Sequence, residues 1–474
     1  MTISHAVRTT RIAGLLGAAL VCLLFTASED ISMAGIQGSG FAYRMTARGH
    51  ITQFGSIFVN GVEYDISGAN IRIDGKPGSE SALHVGQVVT VKGDVNAEAT
   101  QGAAREVSAT SAVVGPLAQV DLAGGTLVVL GQRIRLLPST FLDQALNLGG
   151  LGGLLGIVPG INVRISGFPN AAGEIEATRV DLAIGLQSLR LTGIVQGLDR
   201  DAHTFRINSQ AVQYGAVGDV EALANGATVT VQGNIPLLQT TLHATDIQVL
   251  SGIGGGADEL GEVEGLITTF NSAADFTIES QRIVTDGNTV FTLRGQTLGP
   301  NLPVVVRGTF DDAGVLVASE VVATPSSQVG VLGAVESITN GVVRVLGVDF
   351  ATTDATAFDD QSNQNVRPFG VGALHVGDLV EIRGGAAAGA VREAAAVKRA
   401  DGATSYYVEG VATDLAAPSF RVLGVRVLTT PQTRYSRGGL LGALKFFAGG
   451  ANQKVKVRGI LSGQTLIAEE IRTE

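Results

Sequence analysis

Apolar residues in this chain alternate with polar ones in short runs, and the runs themselves recur. Six of them have the form apolar-x-apolar-x-Gly: VTVKG ending at Gly93, VRISG at Gly167, VTVQG at Gly233, VVVRG at Gly308, VEIRG at Gly384 and VKVRG at Gly459. Their glycines lie 66–76 residues apart. A period of two predicts strands with one apolar face, so pairs such as Val89 and Val91 point inward and the Thr, Lys, Arg and Glu between them point to water. Glycine at the end of the run predicts a bend too sharp for a side chain. Upstream of each run stands a second alternating stretch with a central turn pair: IFVNGVEY, LVVLGQRI, FRINSQAV, FTIESQRI, VRVLGVDF and FRVLGVRV. Asn60-Gly61 is the clearest of these turns, because both residues tolerate the positive φ of a type I′ hairpin.

Two further landmarks complete the period. A glycine among apolar residues opens each unit, at Gly49, Gly115, Gly193, Gly265, Gly333 and Gly410. An alanine three residues before a β-branched or related apolar residue closes it: AREV, ATRV, ATDI, ASEV, AAAV and AEEI. Residues three apart cannot share a face of a regular strand, so this last spacing conflicts with simple alternation.

Strand, strand, tight turn, strand, variable segment, strand, strand is the order of a small OB-type barrel. The pattern predicts an all-β chain of six tandem, five-stranded, OB-like barrels, with short helices between strands 3 and 4 in some units. A small β-sandwich is the competing arrangement. The predicted organisation is a signal peptide over 1–34 and a linker over 35–47. Repeat units follow over 48–111, 112–184 and 185–250, then a linker over 251–258, then units over 259–324, 325–400 and 401–474. The glycine-rich linker 251–258 is expected to make few contacts.

The variable segments of units 2 and 6 carry long apolar inserts. In unit 2 the insert includes Leu148, Leu151, Leu154 and Leu155, and Phe141, Leu142, Ala145 and Leu146 have the spacing of one greasy helical turn. In unit 6 Leu440, Leu441, Leu444 and Phe447 share such a side. Buried, these residues plug the ends of barrels; exposed, they mark a contact surface for a partner.

The N-terminus carries a separate instruction. Arg8 and Arg11 precede an apolar run over 12–25, and Ser32-Met33-Ala34 supplies small residues. That order predicts a secretory signal peptide cut after Ala34, or near Ala27 or Ser28 as the second choice, and hence export to the periplasm or beyond. An uncleaved anchor is the alternative, although the run is short for a span. The only cysteine, Cys22, lies inside it. The mature chain is therefore expected to have neither disulfides nor a transmembrane span.

Composition narrows the chemistry. Charged residues are 16 %, Gly is 64 of 474 residues, and the net charge is −10. An acidic chain with 5 % aromatics argues against a nucleic-acid partner, and only Arg344, Arg421 and Arg426 form local basic strands. The six histidines form no metal pair, and His84 and His375 hold equivalent places in ALHVGQ and ALHVGD. Asp199 and Asp201 lack the rest of a calcium loop, and no nucleophile–base pair or cofactor fingerprint appears. No catalytic, metal-binding or cofactor-binding residue is predicted.

The phrase GHITQFGSIFVNGVEYD over 49–65 resembles the opening of a bacterial family known as domain of unknown function 5666. Gly49, Ile51, Phe54, Gly55, Ser56, Ile57, Val59, Asn60, Gly61 and Val62 carry the likeness. The resemblance implies an exported protein of tandem small β-domains and assigns no activity. The expectation is a non-enzymatic binding or structural module of the cell envelope, with an envelope protein or glycan as partner. The alternative is an OB-type oligonucleotide- or oligosaccharide-binding protein.

Overall fold

The alternating runs are strands, and their pairing closes on itself. The computed structural model describes residues 43–54, 56–121, 124–146, 157–215, 217, 220–324, 328–385, 391–402, 405–436, 441–450 and 453–473. In unit 2 the strands are Val113–Asp121, Thr126–Val129, Gln132–Leu142, Asn162–Pro169 and Ile175–Leu182. The first pairs with the second and the second with the third, both antiparallel. The third pairs in parallel with the fifth, the fifth with the fourth, and the fourth returns to the first. The circuit 1-2-3-5-4-1 leaves no unpaired edge between its ends, which is how a sheet this short avoids open hydrogen-bonding groups.

The structure is thus all-β with closed five-stranded barrels, gathered into three sheets of 12, 10 and 11 strands. The same order of pairing recurs in unit 1 and along 189–250. It also recurs in units 4, 5 and 6.

The landmark glycines mark two points of each circuit where a side chain has no room. A Cβ on the fourth-strand glycines Gly93, Gly167, Gly233, Gly308, Gly384 and Gly459 would lie 1.9–2.4 Å from a carbonyl oxygen of the fifth strand. The register slips at the same place. Arg307 lies opposite Glu320 but Gly308 lies opposite Ala318, which leaves Ser319 unopposed. This is a β-bulge, two residues against one. It resolves the conflict in the A-x-x-V spacing: the extra residue turns Ala318 and Val321 to the same side, 3 % and 0 % exposed.

The first-strand glycines act differently. Val114, Gly115 and Pro116 pair with strand 4, while Leu117 onward pairs with strand 2. Gly115 thus sits where the strand changes partner, and Leu130 of the hairpin turn packs over it, 2.8 Å from a Cβ position. Asn60, Leu346 and Leu423 cover Gly49, Gly333 and Gly410 in the same way.

Small barrels of this size have marginal cores, and here they are joined through their first strands. The N-terminal half of each first strand has strand 4 on one side, and its other side meets a second first strand. Unit 2 pairs with unit 3, Val113 opposite Leu191. Unit 5 pairs with unit 6, Val331 opposite Val408. Unit 1 pairs in parallel with the distant unit 4, Met45 opposite Leu260 through Arg48 opposite Val263. The apolar cores of units 2 and 3 form one cluster, as do those of units 5 and 6.

Two expectations need correction. The first strand begins at Tyr43, inside the stretch read as linker, because residues 43–48 pair with strand 4 and Met45–Arg48 pair on the other side with unit 4. The stretch 251–258 is not loosely held: Ile253 packs on the core of unit 4, its N–H donates to Gln281, and Lys92 donates to Gly254.

Substitution tests the bulge directly. Gly308→Ala is expected to lower stability by about 3 kcal/mol, because the new Cβ meets backbone and not a movable side chain. Gly287→Ala, with nothing within 4 Å of the added carbon, should stay within about 0.5 kcal/mol of wild type. Thermal denaturation followed by circular dichroism compares the two.

Candidate functional site: barrel ends and first-strand seams

The apolar inserts occupy barrel ends. In unit 6 the segment between strands 3 and 4 forms the helix Gly442–Ala448. Phe446, 4 % exposed, enters the barrel and meets Phe420 at 4.9 Å and Tyr435 at 5.9 Å between ring centroids. Gln453 donates to its carbonyl and fixes the helix end. Phe447 is half-buried, 6.2 Å from Phe420. Leu441 and Leu444 point outward, 56 % and 68 % exposed. The buried side of the helix therefore centres on Phe446, which the sequence spacing did not select. Leu440 lies outside the described residues, as do Leu148, Leu151, Leu154 and Leu155 of unit 2.

In unit 2 the greasy-turn reading is corrected. Phe141 and Leu142 are strand residues, held by parallel pairing to Arg179 and Val180, and only Gln144–Leu146 forms a 3-10 turn. Phe141 faces unit 1, where it packs against the Gly86 turn, and Lys398 of unit 5 sits 4.6 Å from its ring centre. The paired histidines are turn residues. The backbone N–H of His84 donates to Gln87 and that of His375 to Asp378, each three residues on. Burial and the Arg179 guanidinium push the His84 imidazole below its ordinary pKa.

The densest chemistry lies in the seams between first strands. Between units 5 and 6, Arg383 is 3 % exposed and donates to Glu381 at 2.9 Å and Glu409 at 2.7 Å. Tyr407 donates to Glu381, and Lys456 lies 3.5 Å from Glu409. Burial alone would raise the Glu381 carboxyl, but Arg383, Lys398 and Lys456 outweigh it and hold it at about 2. Burial moves Lys456 the other way, down to about 8. Gly330 leaves the space that the Arg383 side chain fills.

The seam between units 1 and 4 uses a different set. Arg48 pairs with Glu279 at 2.8 Å and His50 with Glu264 at 2.8 Å. Glu262 is fully buried and accepts from Arg307 at 2.6 Å, while Arg307 also donates to the Asn60 carbonyl of unit 1. The other oxygen of Glu262 and the side-chain oxygen of Asn60 meet no hydrogen-bond partner of good geometry among the described residues. Burial pushes the Glu262 carboxyl up to about 7 against the pull of Arg307. Near the seam of units 2 and 3, Arg190 reaches Asp74 of unit 1, as does Arg164. Strand alternation placed Glu381 and Arg383 on a wet face. They are buried because the neighbouring barrel covers that face. The available signal was an acidic residue just before a first-strand glycine, as in GEVEG and VEG.

A family model described as domain of unknown function (DUF5666) matches residues 48–108, 114–181, 264–322, 333–398 and 409–472, more than half of the chain. The chain belongs to the DUF5666 family. Each DUF5666 match runs from the first strand of a barrel to its bulged fifth strand, so one match spans one barrel and the family recurs here in tandem. Residues 185–250 are not among the matches, although their strands pair in the same circuit. No curated protein matches the chain. Among the described residues no helix is long and apolar enough to cross a membrane.

Glu262 gives the unit 1–4 seam a pH dependence. Its folded pKa lies above the ordinary 4.5, so its stabilising contribution is complete below pH 4.5 and is lost as pH rises through about 7. His50, raised because Glu264 outweighs burial, acts in the same direction. Thermal midpoints are expected to fall between pH 5 and pH 8, with about 3 kcal/mol assigned to Glu262. Glu262→Gln should flatten that part of the profile.

Proposed function

We propose that this chain is an exported, non-enzymatic repeat protein of the bacterial cell envelope, built from six OB-like barrels and working as a binding or structural module. The six-unit reading is supported by the shared circuit, with strand 3 parallel to strand 5 in every unit, including the unmatched 185–250. The observation that carries the functional reading is where the buried charges go. Arg383 donates to Glu409, Arg307 to the Asn60 carbonyl and Arg164 to Asp74, and His50 bonds Glu264, each from one barrel to another, so they act as joints that fix one barrel against the next. The array is then a shaped scaffold, and the exposed Leu441 and Leu444 give its last unit an apolar surface for an envelope protein or glycan.

The alternative, an oligonucleotide- or oligosaccharide-binding protein, draws on the same strand order. Two of its basic candidates are partly neutralised in place: Arg344 lies 3.0 Å from Asp349, and Arg421 lies 3.7 Å from Asp414.

Fractionation and intact-mass measurement of the protein in a bacterial host test the envelope reading. The expected product is a chain shortened by about 34 residues in an envelope or extracellular fraction. A full-length cytoplasmic chain overturns it.

A further inference from the structure

The connection between the fourth and fifth strands of unit 3 differs from its counterparts. Strands Thr228–Asn234 and Leu242–Leu250 end at the pair Asn234 and His243. Beyond it, the Gln239 N–H donates to the Pro236 carbonyl at 3.0 Å, which makes Leu237 and Leu238 the central residues of a tight turn. Leu238 has φ +66°, a conformation that turns of this kind normally give to glycine or asparagine. Three other leucines share that backbone state: Leu130, Leu346 and Leu423. Each of those packs on a first-strand glycine. Leu238 packs on nothing, and the two tip leucines are 90 % and 98 % exposed. A strained leucine with no contact has no role in holding the fold.

The tip is nonetheless held in place. Gln210 donates to the Thr240 carbonyl at 2.7 Å, and His243 meets Gln239 at 2.8 Å. The surroundings are also unusual in charge. From Gln232 to Thr245 there is no Asp, Glu, Lys or Arg, in a chain whose net charge is −10. The corresponding turns of units 1, 2 and 4 are polar, closed by Asn96, Asn170 and Asp311 side chains that accept backbone N–H groups. The leucine tip belongs to the one barrel-length stretch that the family model does not match.

We propose that the turn over 236–239 is a lipid-contact point, which seats Leu237 and Leu238 in the hydrocarbon margin of a bilayer surface. Two side chains on a convex tip offer far less than the roughly 800 Å² per partner of a stable protein interface. A bilayer needs no matching contour, and an uncharged approach avoids stripping water from ions. The contact is reversible, because two leucines bury little area. It does not depend on the export reading, since purified chain and synthetic vesicles test it directly.

The experiment measures partitioning of the full chain onto phosphatidylcholine vesicles, with and without phosphatidylglycerol. Wild type is expected to sediment with both kinds, and the double variant L237S/L238G to lose at least about tenfold in partition coefficient. Its melting temperature should hold or rise, because glycine suits the positive φ. The chain contains no tryptophan, so L237W places a single reporter at the tip. Its emission is expected to shift to shorter wavelength when vesicles are added. Absence of wild-type binding, equal binding of the double variant, or an unshifted L237W emission overturns the proposal. So does a requirement for the leucines in recovering a protein partner but not in vesicle binding.

Discussion

The structure depends on one close approach, that of the fourth strand to the fifth in each barrel. Five strands make a tight cylinder, and where the fourth strand's register shifts the fifth-strand carbonyl comes within 2.4 Å of where a Cβ would stand. Only glycine fits there. The bulge that accompanies it inserts one residue and increases the local twist. It also re-aims the strand so that alanine and its β-branched successor both face the core. The partner change of the first strand at its own glycine is the second half of the same solution, since it lets one strand serve both ends of the cylinder.

Closure of the circuit leaves one strip of backbone uncovered, the outer edge of the first strand's N-terminal half. Such an edge invites pairing with any strand. Here another first strand covers it, antiparallel within 2–3 and 5–6 and parallel between 1 and 4. The polar pairs that cross differ from seam to seam: Arg383 of unit 5 with Glu409 of unit 6 in one, Arg48 and His50 of unit 1 with Glu279 and Glu264 of unit 4 in another. A wrongly paired barrel would bury one such charge without its partner, a cost larger than a correct pair gains. Barrels of nearly the same shape are in this way given distinct neighbours.

Much of this was legible in the sequence, and the failures have physical causes. Strand runs, hairpin turns and landmark glycines could be read because each is fixed by local backbone geometry. The family could be read from the opening phrase of the first unit. The Ala104 to Val107 spacing looked irregular, since a bulge is a relation between two strands and leaves only a broken period in one of them. Pairing of Tyr43–Phe54 with Leu260–Ser272 spans more than 200 residues and carries no local mark. Glu381 and Arg383 alternate like solvent-facing residues, and only the neighbouring barrel buries them. Phe446 was passed over for Phe447 because the helix is short and its start sets which side faces inward.

The central claim is that first-strand pairing welds the barrels to one another. Hydrogen–deuterium exchange of the purified protein, resolved to peptides covering 112–116, 189–193, 329–333 and 406–410, tests it most directly. The Thr192 N–H, bonded to the Ala112 carbonyl across a seam, is one of the amides it reports. The account predicts exchange in these peptides as slow as in the fourth and fifth strands inside each barrel. Fast exchange at the first strands, with slow exchange in the barrel interiors, would mean independent barrels on a string and would contradict it.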